Sequence, residues 1–367
     1  MTGYGVFAPP GEQPRVGYRS DDGILDLSSL GPAFRESTLN AFLAEGPDAW
    51  ARAYEQVTEL LGRGPELVPE RGVDTLLPFA VGDYVDFYSS LEHATNLGRL
   101  FRPDSEPLLP NWRWLPVGYH GRAGTVVVTG TEIVRPSGQR KAPAEASPTF
   151  APSRRLDIEL ELGFVAGAPS AVGKPVSASA FREHVFGVVL VNDWSARDIQ
   201  AWEYQPLGPF LGKSFATSIS AWVTPLDALD GAWVPGPAQD PGPLPYLRVD
   251  GEWNLDIDLE VELNGEVVSR TTARGLYWSM PQQLAHATVN GASIRTGDLF
   301  ASGTISGAEP GTEGSLIELT WNGERPLRLA DGSERTFLED GDEVVLLGRA
   351  GALELGEVRG RIVASRR

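Results

Sequence analysis

Trp50, Tyr54, Val57 and Leu61 recur at i, i+4, i+7 and i+11, which gives Asp48 to Gly62 a single apolar stripe and predicts an amphipathic helix. Gly62, Gly64 and Pro65 stop it. Ahead of it, Tyr4 to Phe7, Arg15 to Tyr18 and Gly23 to Leu27 read as short strands, so residues 1–75 form a small leading unit. From residue 76 onward the texture is strand and turn, with strands expected at Thr125 to Thr129, Asp157 to Val165, Phe186 to Trp194, Leu255 to Val268, Leu316 to Trp321 and Glu343 to Leu347. Asn322-Gly323 predicts a tight hairpin between Leu316 to Trp321 and Pro326 to Leu329, and Asp331-Gly332 and Asp340-Gly341 mark further turns. Few helices interrupt this region: Ser179 to Val185 leads into an apolar strand, and Ser195 to Gln205 leaves from its end. The pattern predicts a mainly β domain carrying a few placed helices.

Composition narrows the classes. Forty-two glycines and 29 prolines fit many turns between short strands. The 367 residues suffice for one large or two unequal domains with a substantial core. With no cysteine, disulfides, Cys-ligated zinc, iron–sulfur clusters and thiol nucleophiles are excluded. A net charge of −18, without a run of basic residues, disfavours nucleic acid and anionic lipid as partners. The longest apolar stretch, Val185 to Val191, is too short to span a bilayer, and Met1-Thr2-Gly3-Tyr4 lacks the basic flank of a signal peptide. A soluble cytoplasmic protein is expected.

Asp157, Glu159 and Glu161 alternate with Ile158, Leu160 and Leu162, which places three carboxylates on one strand face. Like charges so placed need either water or a cation, and oxygen-only ligands suit calcium or magnesium. Asp256, Asp258, Glu260 and Glu262 alternate in the same way, so the pattern alone does not separate a metal site from a solvated face. Asn192 and Asp193 end a buried strand next to a helix start, where a polar tip can form part of a site, although the segment by itself favours Asp193 or Ser195 as the cap of the helix Ala196 to Gln205. On that helix Arg197, Gln200 and Tyr204 fall at i, i+3 and i+7, a face able to hold a polarised oxygen or simply to meet water. Gly212-Lys213-Ser214 is no phosphate loop, because Leu207 stands where its first glycine belongs. Of the four histidines, His93, His120, His184 and His286, His184 reads as packing. His93 is set apart by a capping box of Ser89 and Glu92, which places it in the first turn of a helix just after Asp86-Phe87-Tyr88. Histidine there suits proton transfer near neutral pH.

Asp86-Phe87-Tyr88-Ser89-Ser90 followed by His93-Ala94-Thr95-Asn96 resembles the fumarylacetoacetate hydrolase family. Leu109-Pro110-Asn111-Trp112, Pro116 to Arg122, Asn192 to Gln200, Pro206 to Ser214, Met280 to Leu284 and Ala301 to Gly307 match it in the family's order, over roughly residues 82 to 325. The resemblance implies a small SH3-like amino-terminal domain, residues 1–75, and a large β-roll catalytic domain, residues 76–367, paired as a homodimer. It implies hydrolysis of a carbon–carbon bond in a β-diketo acid, 4-fumarylacetoacetate giving fumarate and acetoacetate, the last step of tyrosine and phenylalanine catabolism. It places divalent-cation ligands, for Ca2+ or Mg2+, at Asp86, Glu159, Glu161 and Asp193, with a second, structural cation near Asp193, the backbone of Lys213, and Thr217. The general base falls on His93, oriented by Glu318. Substrate contacts fall on Tyr88, Arg102, Tyr119, Gln200, Tyr204 and Thr304, and Arg197, Gln200 and Lys213 surround the developing carbanion. The chain departs from the family pattern chiefly in its first 75 residues, which form a shorter leading domain.

Two rival readings stand beside this. Relatives of the fold decarboxylate oxo-acids, cleave acylpyruvates or tautomerise with the same carboxylates, though they generally lack the Asp86 to Asn96 block. Ten tryptophans with acidic strands also suit a non-catalytic carbohydrate platform, which leaves His93, Glu318, Arg197 and Lys213 without a joint purpose.

Overall fold

The computed structural model describes residues 3–366; Met1 and Thr2, the start of the stretch read for a leader, and Arg367 lie outside them. A twelve-stranded sheet forms the frame. At its centre Leu160–Ala166 pairs antiparallel with Val185–Asp193, and every residue of both strands is buried. Burial on both faces explains why Val185 to Val191 reads as an unbroken apolar run. Leu160, Leu162, Phe164, Val188 and Leu190 face one core, together with Leu259, Val261, Val344 and Leu346 of a second, six-stranded sheet. Val165, Val189 and Val191 face another core, made with the leading residues.

The leading strands extend the main sheet: Gly3–Ala8 pairs antiparallel with Trp222–Pro225, matching Tyr4 to Val223 and Gly5 to Trp222. The expected helix is present at Pro47–Gly62, burying Ala49, Trp50, Ala53 and Val57. Phe186 of the central strand receives Tyr4, Phe42 and Trp50, with ring centroids 5.4, 5.5 and 5.5 Å away, all near edge-on.

Four local expectations are corrected. Leu255 to Val268 is not one strand but a hairpin of Asp258–Leu263 and Glu266–Thr272, turned by Asn264 and Gly265 with φ of 54° and 81°. Both angles lie in the left-handed region that an Asn-Gly pair tolerates. Leu316 to Trp321 is not a strand; Leu316–Leu319 is a helical turn, and Asn322-Gly323 closes it with positive φ instead of forming a hairpin. The hairpin belongs to Asp331-Gly332, which joins Leu327–Arg328 to Glu334–Arg335. Asp157 to Val165 breaks at Ile158 and Glu159: Leu156–Asp157 pairs with Ser195–Ala196, and only Leu160–Ala166 joins the main sheet. The helix after Asp193 is shorter than expected, Arg197–Glu203, and its N-cap is Ala196 with no side-chain cap. Neither Asp193 nor Ser195 caps it, because Asp193 is committed elsewhere.

Candidate active site

Strand ends gather four carboxylates. Asp86 lies in Tyr84–Phe87, which pairs in parallel with Leu299–Ala301. Glu161 lies opposite Val191, and the backbone N–H of Asp193 donates to the carbonyl of Glu159 at 3.3 Å. One oxygen each from Asp86, Glu159, Glu161 and Asp193 falls within 4.8 Å of all the others, and all four residues are buried. Two cations compensate part of this charge. Lys213, in the turn Leu211–Lys213, donates to Glu159 and, at 2.9 Å, to Asp193; Arg197 Nη1 donates to Glu159 at 2.8 Å. Asp193 also accepts from the Tyr119 hydroxyl at 2.9 Å and the Thr217 hydroxyl at 2.8 Å.

The carboxylates differ in what compensates them. Burial, followed by the Asp193 charge, pushes Asp86 well above the ordinary carboxyl range, and burial with Asp86 does the same to Glu161. Burial would also raise Glu159, but Lys213 and Arg197 outweigh it and hold it below that range. Asp86 Oδ1 and Glu161 Oε1 are buried with no hydrogen-bond partner. Orphaned acceptors in an oxygen-only cluster of like charges fit a hard divalent cation.

His93 lies in the first turn of the helix Leu91–Phe101, as expected, but the cap is Ser90, not Ser89. Ser90 Oγ accepts the His93 backbone N–H at 3.3 Å, while Ser89 Oγ accepts from Gln283. His93 Nδ1 is 2.6 Å from Glu318 Oε2. Glu318 also accepts from Asn96 at 3.0 Å, Ser306 at 3.0 Å and Ser315 at 2.6 Å. Burial opposes its charge, but His93 and these donors hold it below the ordinary range. With Nδ1–H given to Glu318, Nε2 keeps the free lone pair of a base. The positive charge that the ring gains on taking up a proton acts on Glu159, which ties this pair to the carboxylate cluster.

Among the other expected residues, Arg197 is buried and Gln200 Oε1 accepts from its Nη1 at 3.3 Å. Tyr88 lies edge-on to His93, centroids 5.2 Å apart. Arg102 ends the same helix with Nη2 donating to Pro107 O at 2.7 Å, and its charge reaches Tyr88. Thr304 is buried with an unpartnered hydroxyl. Tyr204 is not brought into this group: it caps the end of its helix, 40% exposed, its hydroxyl accepting from Gln205. The second acidic ladder is a wet face, with Asp258 exposed, Glu260 paired to Arg270 at 2.7 Å and Asp256 paired to Arg274. The first ladder is buried, so the solvated reading fails for it. Sequence reasoning missed Asn96, Ser306 and Ser315. Asn96 three residues after His93, and Ser315 three before Glu318, carried a spacing signal; Ser306 carried none.

Comparison with known proteins agrees over the whole described chain. The profile for the fumarylacetoacetate hydrolase C-terminal region matches residues 84–363, and that for the fumarylacetoacetase N-terminal region matches residues 3–78. The chain is 47% identical to the fumarylacetoacetase of Rattus norvegicus, covering 94% of this chain and 90% of that protein. It is 45% identical to that of Caenorhabditis elegans, covering 98% and 94%. Among solved structures, a fumarylacetoacetate hydrolase from Exiguobacterium antarcticum superposes with a TM-score of 0.60 at 17% identity over all of both chains. A maleylpyruvate hydrolase from Sphingobium sp. SYK-6, in complex with manganese and pyruvate, does so with a TM-score of 0.60 at 15% identity, again over both whole chains. These last two share the mainly β fold, and the two profiles together with the closely similar full-length relatives show that the chain belongs to the fumarylacetoacetate hydrolase family.

Proposed function

We propose that this protein hydrolyses 4-fumarylacetoacetate to fumarate and acetoacetate. The observation that carries the reading is the buried His93–Glu318 pair beside four carboxylates with two orphaned oxygens, and the similarity to fumarylacetoacetases along nearly the full chain supports the substrate. His93 Nε2 takes a proton from water as the oxygen adds to the ketone carbon next to the alkene, while Glu318 steadies the imidazolium that forms. The tetrahedral oxyanion collapses, the bond from that carbon to the central methylene breaks, and the electron pair leaves as the acetoacetate enolate, which takes up a proton. Arg197 Nη2, buried without a partner, is the donor available to the developing negative charge. Asp86, Glu159, Glu161 and Asp193 would hold a divalent cation, calcium or magnesium by the chemistry of their oxygens, whose contribution is Lewis-acid polarisation of the diketone.

Turnover of fumarylacetoacetate, an acylpyruvate and oxaloacetate, measured side by side, tests the reading. Fumarate and acetoacetate should form in equal amounts from the first and be the dominant activity; turnover of oxaloacetate or acylpyruvate alone would sink it.

A further inference from the structure

Asp157 belongs to the first acidic ladder yet lies outside the four-carboxylate cluster. It is fully buried and every approach to its carboxylate is taken. Oδ2 accepts from Arg197 Nε at 2.7 Å and from the backbone N–H of Ile317 at 3.1 Å; Oδ1 accepts from Leu316 N–H at 2.7 Å and Ile158 N–H at 2.8 Å. One side chain thus grips two parts of the site that are far apart in the chain.

Each grip has a geometric consequence. The guanidinium is a rigid plane, so fixing Nε on Asp157 and Nη1 on Glu159 determines where Nη2 points. Nη2 is the one guanidinium nitrogen left without a partner. On the other side, Leu316–Leu319 is a single helical turn whose N-cap, Ser315, makes no capping bond because its hydroxyl is spent on Glu318. Asp157 supplies the acceptor that the turn's own cap does not, and the next residue of that turn is Glu318.

We propose that Asp157 is a positioning residue that fixes the oxyanion donor Arg197 and the His93–Glu318 base pair relative to each other through one shared carboxylate. This rests on the hydrolase reading. It differs from a purely structural role because the two groups act on the same carbonyl from different directions, where a misplacement of about 1 Å costs on the order of 100-fold in rate.

The test has two arms, both on the full chain. In kinetics with fumarylacetoacetate, Asp157→Asn should lower kcat on the order of 100-fold with KM little changed, since the amide cannot accept from donors on both sides. Combined with Arg197→Lys, and separately with Glu318→Gln, it should add little further loss; independent, multiplying losses in both pairs would overturn the proposal. The second arm needs no substrate and no change at Asp157. With 15N-labelled histidine, the His93 ring signals, assigned by their absence in His93→Ala, should shift in Arg197→Lys, because withdrawing Nε–H frees the carboxylate that holds the Glu318 turn. Unchanged His93 signals in a folded Arg197→Lys protein would overturn the coupling even if Asp157→Asn fails to fold. Wild-type protein without turnover of fumarylacetoacetate would instead remove the hydrolase reading, leaving the spectroscopic result standing on its own.

Discussion

At Glu318 both carboxylate oxygens are used, by His93, Ser306 and Ser315 on one and by Asn96 on the other, and the group is held ionised despite complete burial. His93→Ala should therefore lose at least about 100-fold in turnover of fumarylacetoacetate, and Glu318→Gln less, since it orients the ring without touching substrate. Near-wild-type rates for His93→Ala would remove it from the reaction. Two of the metal-ligand candidates carry the opposite electrostatic sign. Asp86 and Glu161 are raised by burial and by neighbouring carboxylates, so the folded chain binds their protons more tightly than the unfolded chain does. Their contribution to stability is present at pH below the ordinary carboxyl range and is lost as pH rises through the raised value. At neutral pH and without metal, Glu161→Gln should raise the melting temperature above wild type and abolish the further rise that calcium or magnesium gives to wild type. Glu260→Gln, on the wet ladder, should do neither. Calorimetric melting with and without chelator reads both effects, and the same response from the two variants would contradict the site.

Helix starts and strand ends are the elements that deliver these residues. Ser90 caps Leu91–Phe101 and its hydroxyl also donates to Ser306 O at 3.1 Å, which links the helix bearing His93 to the loop whose Ser306 holds Glu318. Ser90→Ala should cost about 1 kcal/mol in a denaturant titration, the usual value for a lost N-cap. Its effect on kcat should exceed its effect on KM because His93 is the third residue of that helix; an unchanged kcat would mean the cap is only structural. The cap falls on Ser90 and not Ser89 because serines stand at both positions and the local pattern of apolar positions does not choose between them; with His93 at the third helical position, the expected reciprocal bond from Glu92 is absent among the described residues and Ser90 caps alone. The helical turn Leu316–Leu319 was unreadable for a deeper reason. Its acceptor, Asp157, is 159 residues away in the chain, so nothing local favours a helix over a strand there.

Across the whole molecule, the leading residues and the main sheet share one core through Phe186, which touches Tyr4, Phe42 and Trp50. Phe186→Ala should cost about 3–5 kcal/mol, as large aromatic truncations in cores do. Tryptophan fluorescence and circular dichroism should follow one coincident unfolding transition in wild type, whereas two separated transitions would show that the leading unit folds independently. The helix over residues 48–62, the placement of His93 at a helix start, the buried character of the 185–193 strand and the alternation of acidic residues were all determined by the sequence by itself, because each follows from spacing within a few turns or a single strand. The pairing of His93 with Glu318, 225 residues apart, was reached from the sequence only through family resemblance. The choice between the two acidic alternations was likewise reached only through family resemblance, and the burial of the first agrees with it. Tertiary structure alone decided that Asp157 leaves the cluster to hold Arg197 and the 316–319 turn, and that Tyr204 stays at the surface. The physical reason is that periodicity fixes which side chains share a face, whereas the layer that covers that face, and so its dielectric and its partners, comes from residues far along the chain.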